Sequence, residues 1–476
     1  MREIIIDPVT RIEGHAKITI HLDDAGKVED ARLHVTQVRG FEKFCEGRPF
    51  YEMPSLMARI CGICPISHLL ASAKACDALM AVRIPRTGAK LRYVVHLGQM
   101  IQSHALSFFH LSAPDLLLGM DHDPATRNIM GLIEKSPELA KQGIALRKFG
   151  QQVIEWLAGE RVHPSWIVPG GVNAPLDPEV RTRILSGIPE AMKIAENALS
   201  VLKSVVGNFA AEVESFGNFD SLHMGTVDDE GGLDFYDGGL RFKDAKGKIA
   251  ADHVAAEDYA KFIGEAVVPW SYLKMPYYKP IGYPSGLYRV GPLARLNVIE
   301  RCGTPKADKE LKAFRKAYGA VAKSSFLYHY ARLIEIIFSL EKLEELLNAP
   351  DILDTRVRAE AGPNCNEGVG ICEAPRGTLI HHYKIDDNGL VTWANLIIAT
   401  GNNNLAMNKS IKQVSQRFVD GNNLKEGMLN RVEAVVRAYD PCLSCSTHAL
   451  GQMPMQIDLV SPAGDILDQV SRTSAM

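Results

Sequence analysis

The chain has 476 residues, 46% of them hydrophobic, and its 53 Lys and Arg nearly balance 56 Asp and Glu, for a net charge of −3. Such a chain can bury a large core in more than one structural unit, while the charge balance argues against a nucleic-acid-binding surface or an acidic tail. No apolar run reaches 18 residues, so no transmembrane helix is expected. The start, Met1-Arg-Glu-Ile-Ile-Ile-Asp-Pro8, lacks the apolar stretch of a secretory signal. Nine cysteines suit metal binding in a reducing cytoplasm better than a disulfide framework.

In chain order, residues 1–40 run in alternating or β-branched stretches around an Asp23-Asp-Ala-Gly-Lys27 turn, which predicts an antiparallel β unit. Within it, Thr10-Arg-Ile-Glu13-Gly-His15 reads as a solvated polar loop, and Glu42 in Arg39-Gly-Phe-Glu42 as a surface carboxylate. Residues 52–81 read as helix, interrupted by Pro54 and by Arg59-Ile-Cys61-Gly-Ile-Cys64-Pro-Ile-Ser-His68. His68 falls four residues after Cys64 on the same helical face and reads as a hydrogen-bonded support for a cysteine sulfur. Long amphipathic segments over roughly 88–113, 124–159 and 177–216 predict a helix bundle, in which His104 is structural.

Residues 221–250 break into short runs between glycines and predict a β-hairpin insert. No Gly-x-Gly-x-x-Gly or Gly-Lys-Ser/Thr pattern occurs, so nucleotide binding is expected on another chain. Residues 307–348 read as a long helix or helical pair. Cys365 and Cys372 flank a glycine-containing loop and read as buried, inert thiols. Thr378–Ile385 and Val391–Ile398, joined by Asp386-Asp-Asn-Gly389, form a hairpin. His381 and His382 then point to opposite faces and cannot grip one ion. A last helix over about 407–438 leads to Asp440-Pro-Cys442-Leu-Ser-Cys445-Ser-Thr-His448. The expected divisions are a β unit at 1–50, a helix-bundle core at 51–220, the hairpin insert at 221–305, further core helix at 306–375, the second cysteine pair with its hairpin and helix at 376–448, and an extension at 449–476.

Each Cys-x-x-Cys places two thiols on one face of a helical turn, and the two pairs together supply a full ligand set for a soft or borderline metal. Cys64 and Cys442 are separated by 377 residues, whereas a structural zinc ribbon pairs its cysteines within about 20 residues. Neither pair has the βαβ context of a thioredoxin-like motif. A shared metal site and two unrelated pairs of buried thiols stay open on spacing alone.

The flanks of the two pairs carry a resemblance. Arg-x-Cys-Gly-x-Cys-x-x-x-His at 59–68 with Asp-Pro-Cys-x-x-Cys-x-x-His at 440–448 resembles the large subunit of nickel–iron hydrogenases. Asp7-Pro-Val-Thr-Arg-Ile-Glu-Gly-His15, Arg39–Phe44, Arg289-Val-Gly-Pro-Leu-Ala-Arg295 and Glu373-Ala-Pro-Arg-Gly377 look like further signatures, so the resemblance covers most of the chain. The wording at 41–49 and 444–449 looks closest to the soluble, bidirectional, NAD-reducing branch. The fold implied is α+β and mostly helical: a central bundle of long helices with an N-terminal antiparallel β unit and β-hairpin inserts.

The resemblance also implies roles. Cys61 and Cys442 would be terminal nickel ligands. Cys64 and Cys445 would bridge nickel to an iron carrying carbon monoxide and two cyanides. Cys442 would act as base, relayed to Glu13, which starts the proton path, with Arg376 above the open metal position as rival base. Thr400 would contact the iron cyanides, and Glu42 and His448 would hold magnesium. A maturation endopeptidase would cut between His448 and Ala449 once chaperones have inserted the metals. Many membrane-attached relatives carry an aspartate where Ser103 stands.

The activity implied is reversible heterolytic cleavage of dihydrogen, a molecule that no side-chain acid–base pair splits without a metal to polarise it. This chain has no further cysteine array for an iron–sulfur cluster, so electrons should leave through an iron–sulfur small subunit to NAD(P) on flavin-containing diaphorase subunits. The alternatives are the same chemistry with another acceptor (a deazaflavin or a disulfide reductase) and a hydrogen sensor. Sensors of this family lack the cleavable tail, so residues 449–476 argue against that class. A metal-free relative, like the quinone-site subunit of respiratory complex I, would lack the four cysteines.

Overall fold

The β-branched N-terminal runs become the strands Arg2–Ile6, Ala16–Leu22 and Val28–Val35, antiparallel and adjacent in that order. Ile18, Ile20, Leu33 and Val35 turn inward, and the helix Asn404–Phe418 packs against the sheet. The structure is a computed structural model and describes residues 2–447, 455–461 and 465–472. The readings placed on His448 and Ala449 lie outside the described residues.

The expected bundle is present, and the fold is α+β and mostly helical. Its helices are Pro65–Met80, Arg86–Ala105, Pro137–Ala158, Pro178–Val205 and Tyr328–Leu347. Arg86–Ala105 lies between Pro137–Ala158 and Tyr328–Leu347, which in turn packs on Pro178–Val205. The first of these contacts is close because it is made through glycine: a Cβ on Gly150 would stand 2.7 Å from the Gly98 carbonyl oxygen.

Several helices end differently from their sequence pattern. The 88–113 segment continues past Ala105 as wider π-helical turns, Leu106–Ser112 and Pro114–Leu118. The 124–159 segment starts only at Ile129, where the Asn128 side chain accepts from Met130 N at 2.8 Å, and it breaks at Ser136-Pro137 because proline cannot donate to the preceding turn. The expected single helix over 407–438 is two, Asn404–Phe418 and Glu426–Tyr439. Between them the Asp420 side chain accepts from Asn422 N at 2.9 Å, and Asp420-Gly-Asn-Asn makes a turn that helical periodicity cannot reveal.

The 221–250 insert is part of a four-stranded sheet ordered Tyr288–Arg289, Leu222–Val227, Gly239–Lys243, Ile249–Val254. Its core, around Met224, Phe242, Tyr278 and Tyr288, meets Ile371, Ile380 and Ile397 of a second sheet. That second sheet contains the expected hairpin, Gly377–Ile385 and Val391–Ile397, plus the strand Glu367–Ala374.

The extra strand corrects the reading of 365–372 as a loop. Its glycines permit close packing: a Cβ on Gly370 would lie 2.0 Å from Ala71 O on the Pro65–Met80 helix. Cys372 is buried in this strand, but Cys365 is exposed. Residue 365 precedes the strand, where only its backbone N–H is tied down, to Leu79 O at 2.9 Å.

Candidate metal centre

Cys64 stands immediately before the Pro65–Met80 helix, whose first residue is a proline that needs no N–H acceptor. The loop before it folds around one sulfur. Cys61 Sγ accepts from Ile63 N at 3.2 Å and from Cys64 N at 3.1 Å. Gln99 and Gln102 both donate to Ile63 O, at 2.8 and 2.7 Å, and the His163 ring meets Cys61 O at 2.9 Å. The second pair follows the Glu426–Tyr439 helix, which stops at Asp440 in a left-handed conformation (φ 54°) ahead of Pro441.

The N-terminal loop joins the two ends of the chain. Leu443 N donates to Glu13 O at 3.0 Å, so Glu13 and Cys442 sit side by side as a parallel β-bridge. The sulfurs of Cys61 and Cys64 are then 3.0 Å apart, those of Cys61 and Cys442 3.6 Å, and those of Cys64 and Cys445 4.0 Å. All four are buried free thiols within 4.8 Å of one another. Among the described residues no other group of three or more His, Cys, Asp or Glu ligands converges in this way. Of the two readings left open by spacing, the structure supports the shared site.

Glu13 is not a solvated loop carboxylate. Its Oε2 accepts from Cys442 Sγ at 3.0 Å and from Ser444 N at 3.2 Å. The preceding residues are clamped as well. Thr10 N donates to Glu433 at 2.6 Å, and Arg11, at a left-handed φ of 54°, reaches Asp115 at 2.5 Å. Thr400 Oγ1 accepts from Cys442 N at 2.9 Å. His68, one helical turn after Cys64, helps lower the pKa of that thiol and lies 3.2 Å from His381.

Arg376 is buried beside the thiols. Its Nε donates to Asp440 O at 2.6 Å, and Nη2 to Asp440 Oδ1 at 3.1 Å. Burial works against its charge, but Asp440 and then Cys442, Cys64 and Cys61 raise its pKa well above the ordinary guanidinium value. The thiols differ among themselves. Hydrogen bonds from Cys442, Cys445 and Cys61 hold Cys64 well below the usual thiol range, whereas burial pushes Cys442 and Cys445 well above it.

Glu42 also departs from the surface reading. It lines a small cavity with Glu265, Lys274 and Ser446; its Oε1 accepts from Leu396 N at 2.9 Å, with the Lys274 ammonium 3.9 Å away. Burial raises its pKa, and Lys274 pulls it back. His381 and His382 do face opposite ways, the first toward Tyr383 and His68, the second toward Tyr259 and Glu367. His104 pairs with Glu335 at 2.8 Å in a wholly buried ion cluster with Arg295 and Glu373.

Sequence reasoning missed Asp115, Glu433 and Asp440, which fix Arg11, Thr10 and Arg376. Gln99 and Gln102 did carry a signal: two amides three apart on one face of a helix.

Four soft donors at this spacing, with no disulfide between them, fit nickel and iron. Arg376 Nη1 and Asp440 Oδ2 are buried without a hydrogen-bond partner among the described residues, so polar capacity is left over beside the thiols. Residues 39–127 and 188–448 match the family described as nickel-dependent hydrogenase. The chain belongs to that family.

Residues 3–38 match a second family, described as HoxL-like. The chain is 43% identical to the NAD-reducing hydrogenase HoxS subunit beta of Cupriavidus necator, over 99% of this chain and all of that one. It is 46% identical to the vhu F420-non-reducing hydrogenase chain of Methanocaldococcus jannaschii, over 87% of this chain and 99% of the relative. Among solved structures, an NAD+-reducing [NiFe]-hydrogenase in the H2-reduced state superposes with a TM-score of 0.91 at 47% identity, over 94% of this chain and 100% of that one. The Ni-Fe-Se hydrogenase of D. vulgaris Hildenborough gives 0.76 at 25% identity, over 94% of this chain and 100% of that one. The protein is thus a [NiFe] hydrogenase large subunit, the family its cysteine motifs resemble.

Proposed function

We propose that this hydrogenase subunit cleaves dihydrogen reversibly and heterolytically, and that the electrons pass through an iron–sulfur small subunit to NAD(P) on a diaphorase partner. The observation that carries the chemistry is the 3.0 Å contact between Cys442 Sγ and Glu13 inside the four-thiol cluster. Cys61, Cys64, Cys442 and Cys445 would hold the nickel and iron, with Cys61 and Cys442 on nickel alone and Cys64 and Cys445 shared between the two metals. When bound, the Ni–Fe centre, with carbon monoxide and two cyanides on iron, polarises dihydrogen and accepts its electron pair.

The chain's own residues manage the protons. The sulfur of Cys442 receives one, and the Glu13 carboxylate, held by the Ser444 N–H, takes it onward. Arg376, kept charged by Asp440, places fixed positive charge and a spare donor at the cluster, and Thr400 anchors the Cys442 backbone. Water exclusion by the buried cysteines strengthens each of these interactions.

Glu42 and His448 would hold a magnesium ion, a hard cation for which Glu42 supplies a desolvated oxygen donor. Maturation in the cytoplasm ends with metal insertion by chaperones and cleavage after His448. This chain matches the whole of the HoxS beta chain and the whole of the solved NAD+-reducing chain.

Those same two relatives favour NAD(P) as acceptor. The F420-non-reducing relatives, at up to 46% identity, favour a second reading in which another acceptor takes the electrons. Assembled enzyme purified through a tag on this chain should reduce NAD+ under hydrogen without added dye. Dye-linked hydrogen uptake with no NAD+ or NADP+ reduction would refute the acceptor and leave the hydrogenase reading standing.

A further inference from the structure

Arg376 sits at the tip of a hairpin whose own sequence does not favour the turn. Ala374 pairs with Gly377 across the two antiparallel strands, which leaves Pro375 and Arg376 as a two-residue turn. The two-residue turns that match the twist of a hairpin need a left-handed residue at the first central position, and proline is fixed at a negative φ. Arg376 is not left-handed either; the next residue, Gly377, is, at a φ of 136°. A turn of this kind splays its strands unless something outside it holds them.

Arg295, on the short helix Pro292–Val298, supplies that hold. Its Nη1 donates to Ala374 O at 3.0 Å and its Nη2 to Pro375 O at 3.3 Å, the two carbonyls just before Arg376. Its other N–H groups go to carboxylates: Nε and Nη2 to Glu335 at 2.7 Å each, and Nη1 to Glu373 at 2.7 Å. All five donors of the guanidinium are thus used. The carboxylates are fixed in turn, Glu335 by His104 at 2.8 Å and Glu373 by the Thr378 hydroxyl at 2.7 Å. Arg295, Glu335 and Glu373 are wholly buried. The start of the same helix also abuts the turn, since a Cβ on Gly291 would stand 2.8 Å from Arg376 O.

We propose that Arg295 is a positioning residue that holds the Pro375-Arg376 turn and so sets where the Arg376 guanidinium stands beside the four thiols. This rests on the reading of Arg376 as fixed charge and spare donor at the metals. Arg295 touches none of the four cysteines in this arrangement; it acts through the turn. A lysine offers three donors on a flexible stem where arginine offers five in a rigid fork. Arg295→Lys therefore keeps the charge but gives up at least two of the five contacts. An ammonium bonds carboxylates more strongly than neutral carbonyls, so the contacts given up are those to Ala374 O and Pro375 O. Misplacing a group at a reacting centre by about 1 Å costs about 10²-fold in rate, and hydrogen–deuterium exchange should fall by up to that factor.

The carbon monoxide and cyanide infrared bands read the position of this charge without turnover. In assembled enzyme with wild-type nickel and iron content, Arg376→Met should shift them, and so should Arg295→Lys. The double variant should give the bands of Arg376→Met alone, because no charge is left for the turn to move. Bands of Arg295→Lys that superimpose on wild type overturn the proposal. A further shift when Arg295→Lys is added to Arg376→Met also overturns it, since a merely structural role would act whatever stands at 376. The metal-free full chain gives a second readout: backbone amides at 374–378 should exchange with deuterium faster in Arg295→Lys, and unchanged exchange there overturns the proposal whatever the bands show. If Arg295→Lys does not fold, Glu335→Gln, which keeps Arg295 but weakens its anchor, should give the same shift and the same faster exchange, and wild-type behaviour in both overturns it. Bands unmoved by Arg376→Met refute the reading of Arg376 instead, and amide exchange still decides whether Arg295 holds the turn.

Discussion

Shortening Glu13 by one carbon tests the proton route at its first step. In Glu13→Asp the main chain keeps its bridge to Leu443 at 3.0 Å, so the two ends of the chain stay joined and the thiol cluster stays assembled. The carboxylate, however, retreats by about 1.5 Å, one C–C bond. The 3.0 Å contact with Cys442 Sγ then opens to about 4.5 Å, beyond hydrogen-bonding reach. A general acid–base group contributes about 10²–10⁴-fold, and that loss is the one expected here. Glu13→Gln keeps the length and an oxygen for Ser444 N but cannot ionise, so it should fall by the same order. Hydrogen–deuterium exchange, followed by mass spectrometry of the gas above the enzyme, isolates this step from electron transfer. Both variants should keep wild-type nickel and iron content. Wild-type exchange in Glu13→Asp, with metals retained, would refute the route through Glu13.

Three other outcomes follow from the packing and the charges. Cys445→Ser should yield a chain unable to retain both metals, and normal nickel and iron by elemental analysis would exclude a bridging role. Gly370→Ala forces a Cβ to 2.0 Å from Ala71 O, backbone that cannot swing aside; it should cost about 1–3 kcal/mol, read as a lower Tm, and an unchanged Tm would show that the strand can lift off the helix. His96 is wholly buried with its Nε2 against Glu373 O at 2.8 Å, and burial pushes its pKa from 6.5 down to about 4. Between those values the unfolded chain binds a proton that the folded chain does not, so stability is lost as pH falls from about 6.5 to about 4, by about 3 kcal/mol in all. His96→Gln should flatten that part of the Tm–pH curve; an identical slope would place the titration elsewhere.

The cysteine pairs and their flanks were legible because metal ligation demands particular donors at particular spacings, and the helix bundle because long apolar periodicity survives any context. What escaped was set by partners distant in sequence. Glu42 looks like a surface acid until Leu396 N and the cavity around Lys274 bury it. Arg376 shows its meaning only beside Asp440, and Arg11 only beside Asp115. Gly368 and Gly370 signal a loop locally, yet they are strand residues whose missing side chains admit a helix backbone. The split at 419–425 depends on a side-chain turn at Asp420 that competes with the helix.

The central claim is that the four thiols hold a nickel–iron centre. An infrared spectrum of the purified assembly, taken in the window free of protein absorption, tests it most directly. The account predicts stretches from one carbon monoxide and two cyanides, lost in Cys64→Ser and Cys445→Ser. A chain ending at His448 by mass, with no such bands, would contradict it.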